Sequence, residues 1–152
     1  MFGIRIAANL YLPFIGAGIR VEKVSSDYSE VTVRMKMNFF NRNYVGTHFG
    51  GSLYAMTDPW YMLMLMRRLG PGYIVWDKSA NIDFISPGTG TVRITFRISE
   101  ETLTAIQNEV AVKKKTDWTF DEIIVDETGK TVAKVHKVVY IRRISKANHY
   151  LP

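Results

Sequence analysis

The 152-residue sequence contains no cysteine. This absence excludes disulfide bonds, cysteine-ligated zinc and thiol catalysis. The sequence also lacks a metal-ligand spacing, a phosphate-binding glycine loop and a Ser/His/Asp triad signature, so we expect no metal and no resident cofactor. A reducing cytoplasm is the simplest location for such a chain, although other compartments are also compatible with it.

Internal repeats, low-complexity stretches and linkers are absent as well, and 47% of the residues are hydrophobic. A chain of this length and composition is expected to fold as one domain over residues 1–152. The longest oily stretch, residues 53–69, contains Asp58, Pro59, Arg67 and Arg68. It is too short and too charged for a bilayer, so no membrane span is expected.

The N-terminus is mostly apolar, and Phe2, Ile6, Leu10 and Phe14 recur every four residues. This spacing predicts a short amphipathic helix over residues 1–16 that packs on the body of the protein. Breaks in the apolar run at residues 9 and 13 argue against a signal peptide. Association with a membrane surface is the alternative interpretation of the same stripe.

Positive charge exceeds negative charge, with 20 Lys plus Arg against 14 Asp plus Glu and a net charge of +6. This excess favours an anionic partner, although a solubilising surface explains it equally well. Aromatic residues are not interleaved with the cations as a nucleic-acid reader requires, so we expect no nucleic-acid partner. The cations group as a lysine run at 113–115 and a C-terminal cluster of Lys134, Lys137, Arg142, Arg143 and Lys146.

The pattern of apolar residues predicts an α+β fold. Strands are expected at 19–24, 31–37, 74–86, 91–98, 118–125 and 131–143, with a long helix at 50–69 and a smaller inserted helix at 99–115. Because most strand links are hairpin-like, we expect an antiparallel sheet curled around one central helix. Asp77 and Lys78 look like a surface charge pair, and no role is assigned to His136 or His149.

Residues 43–58 contain the candidate catalytic residues. Asp58 is a lone carboxylate on a helix that otherwise looks buried, and such an acid is costly unless it is paired or used. It lies seven residues after the glycine pair Gly50 and Gly51, which Asn43 and Gly46 precede. These spacings match the pattern Asn-x-x-Gly-x-x-His-Gly-Gly with a later acid, and the chain therefore resembles hot-dog fold acyl-CoA thioesterases. The nearest branch is the phenylacetyl-CoA thioesterase type, together with uncharacterised thioesterase-like families related to it.

The resemblance covers residues 31–98 well, including the segment SANIDFISPGTGTVRITFRI, and the C-terminal hairpin loosely. It implies a sheet wrapped around a central helix and a substrate that is an acyl-CoA or an acyl-carrier thioester, with coenzyme A present only as part of the substrate. It also implies a homodimer, or a dimer of dimers, with the site across the subunit interface. Gly50 and Gly51 of one subunit would bind the carbonyl oxygen, and Asp58 of the other would act as base or nucleophile.

Substrate contacts are expected from Asn43, Gly46, His48 and Phe49. Phe49 occupies the position of the family's histidine, and His48 is one residue earlier. The role of that histidine is therefore lost in this chain, or transferred to His48 by a shift of the loop. A non-catalytic acyl-CoA or lipid-binding protein is the alternative that Phe49 favours. A hot-dog hydratase would need a His–Asp pair within a motif that is missing from the sequence.

Each candidate also has a purely structural interpretation. Asp58 would then be an acid bonded to neighbouring side chains or backbone. The glycine pair would be a plain loop-to-helix turn, Asn43 a turn stabiliser and His48 an ordinary loop residue. The sequence leaves these alternatives open.

Overall fold

The computed structural model describes residues 2–144, so Met1, Lys146 and His149 lie outside the described residues. Six antiparallel strands form one sheet in the order β1-β2-β4-β5-β6-β3. The strands are β1 Ile19–Val24, β2 Glu30–Lys36, β3 Tyr73–Phe84, β4 Thr91–Arg97, β5 Lys115–Val125 and β6 Thr131–Arg143. The helices are α1 Phe2–Leu10, α2 Leu12–Ala17, α3 Gly50–Ala55, α4 Trp60–Leu69 and α5 Glu100–Lys113.

The core lies between the inner face of the sheet and α4. In β2, Val31, Val33 and Met35 are buried while the residues between them are partly exposed, as the alternation in the sequence predicts. Trp60 and Tyr61 of α4 are buried against the sheet in the same core. This antiparallel sheet around a helix confirms the predicted α+β fold.

The central helix is not continuous. The prediction of one helix over 50–69 is wrong at residues 56–59, where α3 has ended and α4 has not begun. Pro59 has no N–H to donate to the carbonyl of Ala55, and a cis peptide bond joins it to Asp58. In the same stretch, the hydroxyl of Thr57 donates a hydrogen bond to the Tyr54 carbonyl, 2.7 Å away. Asp58 therefore lies in a short link between two helices.

The N-terminal segment forms two helices where one was predicted over residues 1–16. Asn9, which interrupts the apolar run, exchanges two hydrogen bonds with the backbone of Val21 in β1, at 2.9 and 3.2 Å. Phe14 is buried, whereas Ile6 is 49% and Leu10 is 68% exposed, so of these three residues of the predicted stripe Phe14 packs in the core. Within residues 2–144, no helix has the length and apolar character needed to cross a membrane.

The inserted helix α5 is shorter than the predicted range of 99–115. Its cap is the Ser99 hydroxyl, which accepts a hydrogen bond from the Thr102 N–H at 3.1 Å. Its buried stripe consists of Leu103, Ile106 and Val110.

Candidate functional site

Asn43 closes the loop that precedes α3. Its side-chain amide donates to the Thr47 hydroxyl at 2.8 Å and to the His48 carbonyl at 3.2 Å. Its side-chain oxygen accepts from the Thr47 N–H at 3.0 Å. Gly46 lies within this loop with a positive φ of 87°, a conformation that favours glycine. Two of the four residues expected to contact substrate thus shape the loop.

His48 points into the protein. Its side chain is almost fully buried, and Nε2 lies 3.2 Å from the carbonyl oxygen of Gly90. Burial lowers the pKa of the His48 imidazole below its usual value, so the ring is uncharged near neutral pH. Its neighbour Phe49 is 55% exposed. Within this chain, the histidine therefore packs beneath the turn that contains Gly90 and leaves Phe49 facing outwards.

Two aromatic rings lie against the glycine pair at the start of α3. A Cβ on Gly50 would lie 2.8 Å from Cζ of Phe84, and a Cβ on Gly51 would lie 2.4 Å from Cε1 of Phe49. Glycine is therefore required at both positions for these rings to pack as they do. Among residues 2–144, no acceptor binds the N–H groups of Gly50 and Gly51, as is usual in the first turn of a helix.

Asp58 is held by a lysine from the sheet. Its Oδ1 lies 3.0 Å from Nζ of Lys137 in β6. The Asp58 side chain is 56% exposed, and no group within residues 2–144 donates a hydrogen bond to its Oδ2. An ionised carboxylate accepts through both oxygens, so one oxygen of Asp58 is available to a ligand.

Lys137 lies on the inner face of β6, in line with Val135 and Val139, and its side chain is only 4% exposed. The expectation that it belongs to a surface cluster of cations is therefore wrong. Its cross-strand neighbours are Ala80 in β3 and Phe120 in β5. The signal was present in the sequence, since Lys137 occupies an apolar position of an alternating strand.

Asp77 completes the cluster. Its Oδ2 lies 2.9 Å from Nζ of Lys137, its side chain is 20% exposed, and neither of its oxygens has a hydrogen-bond partner within residues 2–144. Burial raises the pKa of Asp77 above its usual value; the Lys137 ammonium opposes this rise and the Asp58 carboxylate adds to it. We call Asp58, Lys137 and Asp77 the inner cluster.

Asp77 and Lys78 do not form the predicted charge pair. Lys78 pairs with Asp117 of β5, while Asp77 faces Lys137. The alternation of the strand sends Asp77 to the inner face and Lys78 to the outer face. A β-bulge follows, in which Asp77 pairs with Val139 and Ser79 with Val138, which leaves Lys78 as the extra residue of β3.

The candidate residues thus form two groups within one chain. The first comprises the loop of Asn43 and the glycine pair at the start of α3, and the second is the inner cluster. No hydrogen bond or ion pair among residues 2–144 connects Asp58 to residues 43–51. In the same part of the chain, no three His, Asp or Glu side chains are grouped to hold a metal ion.

The fold resembles several solved structures. A protein of unknown function from Pseudomonas aeruginosa, described as a probable thioesterase, has a TM-score of 0.79 at 20% identity, with 92% of this chain and 93% of that chain covered. A thioesterase from Haemophilus influenzae gives 0.63 at 13% identity, with 90% and 87% covered. The E. coli PaaI protein from the phenylacetic acid degradation operon gives 0.60 at 20% identity, with 88% and 84% covered.

At these identities the likeness concerns the fold, and it confirms the thioesterase-like hot-dog fold that the motif indicated. No curated protein matches the sequence. A family model described as "Domain of unknown function (DUF4442)" matches residues 4–141. The chain belongs to the DUF4442 family.

Proposed function

We propose that this protein hydrolyses the thioester of an acyl group carried by coenzyme A or by an acyl-carrier protein. The observation that supports this most is the state of Asp58, a 56% exposed carboxylate with one oxygen held by Lys137 and no hydrogen-bond donor to the other within residues 2–144. The fold is also that of a probable thioesterase and a thioesterase among solved structures. Surface cations such as Lys134 and Arg143 suit the phosphates of coenzyme A. We also propose that the protein acts in the cytoplasm.

Asp58 has the chemistry that this reaction needs. As a general base it takes a proton from water while the water oxygen bonds to the thioester carbon. Alternatively, its own oxygen attacks that carbon, and water later hydrolyses the acyl-enzyme anhydride. In both routes negative charge develops on the carbonyl oxygen, the C–S bond then breaks, and the thiolate leaves and takes up a proton. Free backbone N–H groups such as those of Gly50 and Gly51 stabilise that oxygen anion.

The proposal includes a site shared between subunits of a homodimer or a dimer of dimers. Asp58 and the glycine pair belong to different groups of contacts within one chain, and the resemblance to hot-dog thioesterases implies that they meet across an interface. In this arrangement the glycines of one subunit hold the carbonyl oxygen, and Asp58 of the other subunit acts on the same thioester.

A non-catalytic acyl-CoA or lipid-binding protein is the second candidate. The observation that favours it is Phe49, which replaces the family's histidine and lies against Gly51. An aromatic ring there narrows access to the N–H groups at the start of α3, which suits retention of an acyl chain more than turnover.

Release of free thiol from short, long and aromatic acyl-CoAs tests the function. A thiol-reactive dye reports only the product, because the protein contains no cysteine. Asp58→Asn should slow turnover roughly 10²- to 10⁴-fold, the usual contribution of one base or oxyanion group. Asp117→Asn is the matched control, since it removes an exposed carboxylate that pairs with Lys78 on the other face of the sheet.

Turnover that is lost in the Asp58 variant and kept in the Asp117 variant, with both folded, supports hydrolysis. Acyl-CoA binding without thiol release from any substrate would instead support the binding protein. Equal turnover in wild type and the Asp58 variant would contradict the role proposed for Asp58.

Mixed dimers test the shared site. Gly50→Pro removes one N–H donor at the first helical position, where proline suits the backbone. The preceding Phe49 already has φ −64° and ψ 126°, which proline allows. Because a Cβ at position 50 would lie 2.8 Å from Cζ of Phe84, both subunits also carry Phe84→Ala, which makes room for the ring. Random pairing of Asp58→Asn and Gly50→Pro subunits should then restore about a quarter of the turnover of Phe84→Ala alone, because half of the dimers are mixed and each holds one intact site. No recovery above either variant alone would place the two groups in the same subunit's site.

A further inference from the structure

Lys137 is not part of the motif over residues 43–58, and it lies about eighty positions later in the sequence. Its ammonium is nevertheless the group that touches Asp58, at 3.0 Å. A lysine is almost never fully buried unless it is paired. With a side chain only 4% exposed, Lys137 requires an account beyond packing.

The link that carries Asp58 gives this carboxylate little support of its own. Residues 56–59 separate α3 from α4, so Asp58 lacks the rigid framework of a helix interior. Its backbone N–H makes only a long hydrogen bond of 3.3 Å to the Ala55 carbonyl. The contact with Lys137 therefore fixes the direction of the carboxylate, with Oδ1 towards the sheet and no hydrogen-bond donor to Oδ2 within residues 2–144.

We propose that Lys137 is a positioning residue that holds the Asp58 carboxylate turned towards the reacting thioester. The inference rests on the proposed function, and it extends that function from the motif to the last strand of the sheet. Lys137 itself is too buried to contact substrate, so it acts through Asp58 and not on the reacting atoms.

Asp77 explains why the ammonium is set so deeply. Lys137 lies between two carboxylates, 3.0 Å from Asp58 and 2.9 Å from Asp77. The charged groups that face Asp77 are Lys137 from β6 and Asp58 from the link, since Lys78 turns away to Asp117. Removing Lys137 alone would leave the mostly buried Asp77 carboxylate without its cation and next to the Asp58 carboxylate, which threatens folding.

The test therefore starts from Asp77→Asn, which removes one carboxylate while preserving shape. Adding Lys137→Met gives the double variant D77N/K137M, in which Asp58 is the remaining acid of the cluster and a side chain of similar length replaces the lysine. D77N is the reference for the double variant, and Asp117→Asn, which removes an exposed carboxylate outside the inner cluster, is the control expected to keep kcat close to wild type. In D77N/K137M, kcat should fall on the order of 10²-fold with little change in KM, because the acid is no longer aligned.

Two further readouts separate positioning from mere support of the fold. The first is kcat per folded molecule, which should be lower in D77N/K137M than in D77N while KM stays the same. The second is the ¹³C signal of the Asp58 carboxyl, assigned with D58N, which should differ between D77N and D77N/K137M because the ammonium 3.0 Å from Oδ1 is gone. Equal kcat per folded molecule and an equal ¹³C signal in the two variants would overturn the inference, even if both lose activity in proportion to unfolded protein.

The same set distinguishes failure of the function from failure of the inference. If wild type hydrolyses acyl-CoA and D77N/K137M matches D77N in kcat, the function stands and the inference is overturned. If wild type hydrolyses nothing, the proposed function fails, and the ¹³C signal of the Asp58 carboxyl tests the contact with Lys137. A signal that differs between D77N and D77N/K137M then supports the hold of Lys137 on Asp58, and an unchanged signal overturns it.

Discussion

The two faces of the sheet treat the same kinds of charge very differently. On the inner face, Lys137 is 4% exposed and lies between Asp58 and Asp77. On the outer face, Lys78 pairs with Asp117, and these side chains are 55% and 42% exposed. Of two adjacent residues of β3, Asp77 thus forms an ion pair on the inner face and Lys78 forms one on the outer face.

The same division occurs on β6. His136, next to Lys137 in sequence, places Nδ1 2.7 Å from Oδ1 of Asp121 on the outer face, where both side chains are more than half exposed. Exposed ion pairs contribute about 0–1 kcal/mol to stability, because water and salt screen them. The comparison teaches that contact distance alone does not identify a functional pair. Burial of Lys137 and Asp77 distinguishes the inner cluster from its outer neighbours.

Lysine removal on each face gives the largest expected difference. Lys137→Met should lower the free energy of unfolding by about 3 kcal/mol, because it leaves two carboxylates without their shared cation. Lys78→Met should lower it by less than about 1 kcal/mol, as for other exposed pairs. Urea unfolding of both variants at pH 7 measures the difference. Equal losses of unfolding free energy in the two variants would mean that water and salt screen the charges of the inner cluster as strongly as those of the outer pair.

A smaller effect is expected in the pH dependence of stability. The pKa of Asp77 is raised in the folded protein, whereas an aspartate in the unfolded chain has a pKa of about 3.9. The stability that Asp77 contributes is therefore complete below that pH and is lost as pH rises through its folded value. Asp77→Asn has no such loss, so its free energy of unfolding relative to wild type should increase as pH rises through this window.

Urea unfolding at a series of pH values from 3.5 upwards checks this trend. Asp117→Asn is the outer-face control for the same series. A difference between Asp77→Asn and wild type that stays constant with pH would contradict the prediction. The same rise for Asp117→Asn would show that the trend does not belong to the inner face.

Much of the fold could be predicted from local patterns in the sequence. The alternation of Val31, Val33 and Met35 predicted a half-buried strand, and Ser99 marked the start of α5. The motif around Gly50 and Asp58 identified the fold, because its spacing reflects how the loop enters the central helix. These features depend on neighbours in the sequence, which is why sequence patterns reveal them.

Lys137 could have been recognised but was not. It follows Val135 and precedes Val139 at the spacing of one face of β6, so a charged residue at an apolar position was visible. Its partners were not visible, because contacts among β6, β3 and the link before α4 arise only when the sheet closes on the helix. Counting it among the C-terminal cations ignored its position in the alternation.

Asp77 was hidden for a different reason. Counting back from Phe84 through Ile82 and Ala80 puts Lys78 on the inner face, whereas counting forward from Val75 puts Asp77 there. Asp77 faces inwards, as the forward count indicates, and the bulge at Lys78 moves the alternation by one residue, so the backward count fails. Nothing in the local sequence marks the bulge. A break in pairing of this kind depends on the partner strand, which a single segment does not reveal.

The bulge at Lys78 also determines how the length of β3 can change. Deleting Lys78 would leave Asp77 opposite Val139 and Ser79 opposite Val138, so every remaining side chain would keep its face. Deleting a residue between Ala80 and Phe84 would break this alternation and move part of the strand to the wrong face. Asp77 lies against Lys137, and Phe84 lies against Gly50. Between these two residues, the strand can lose one residue at the bulge without moving either side chain to the other face.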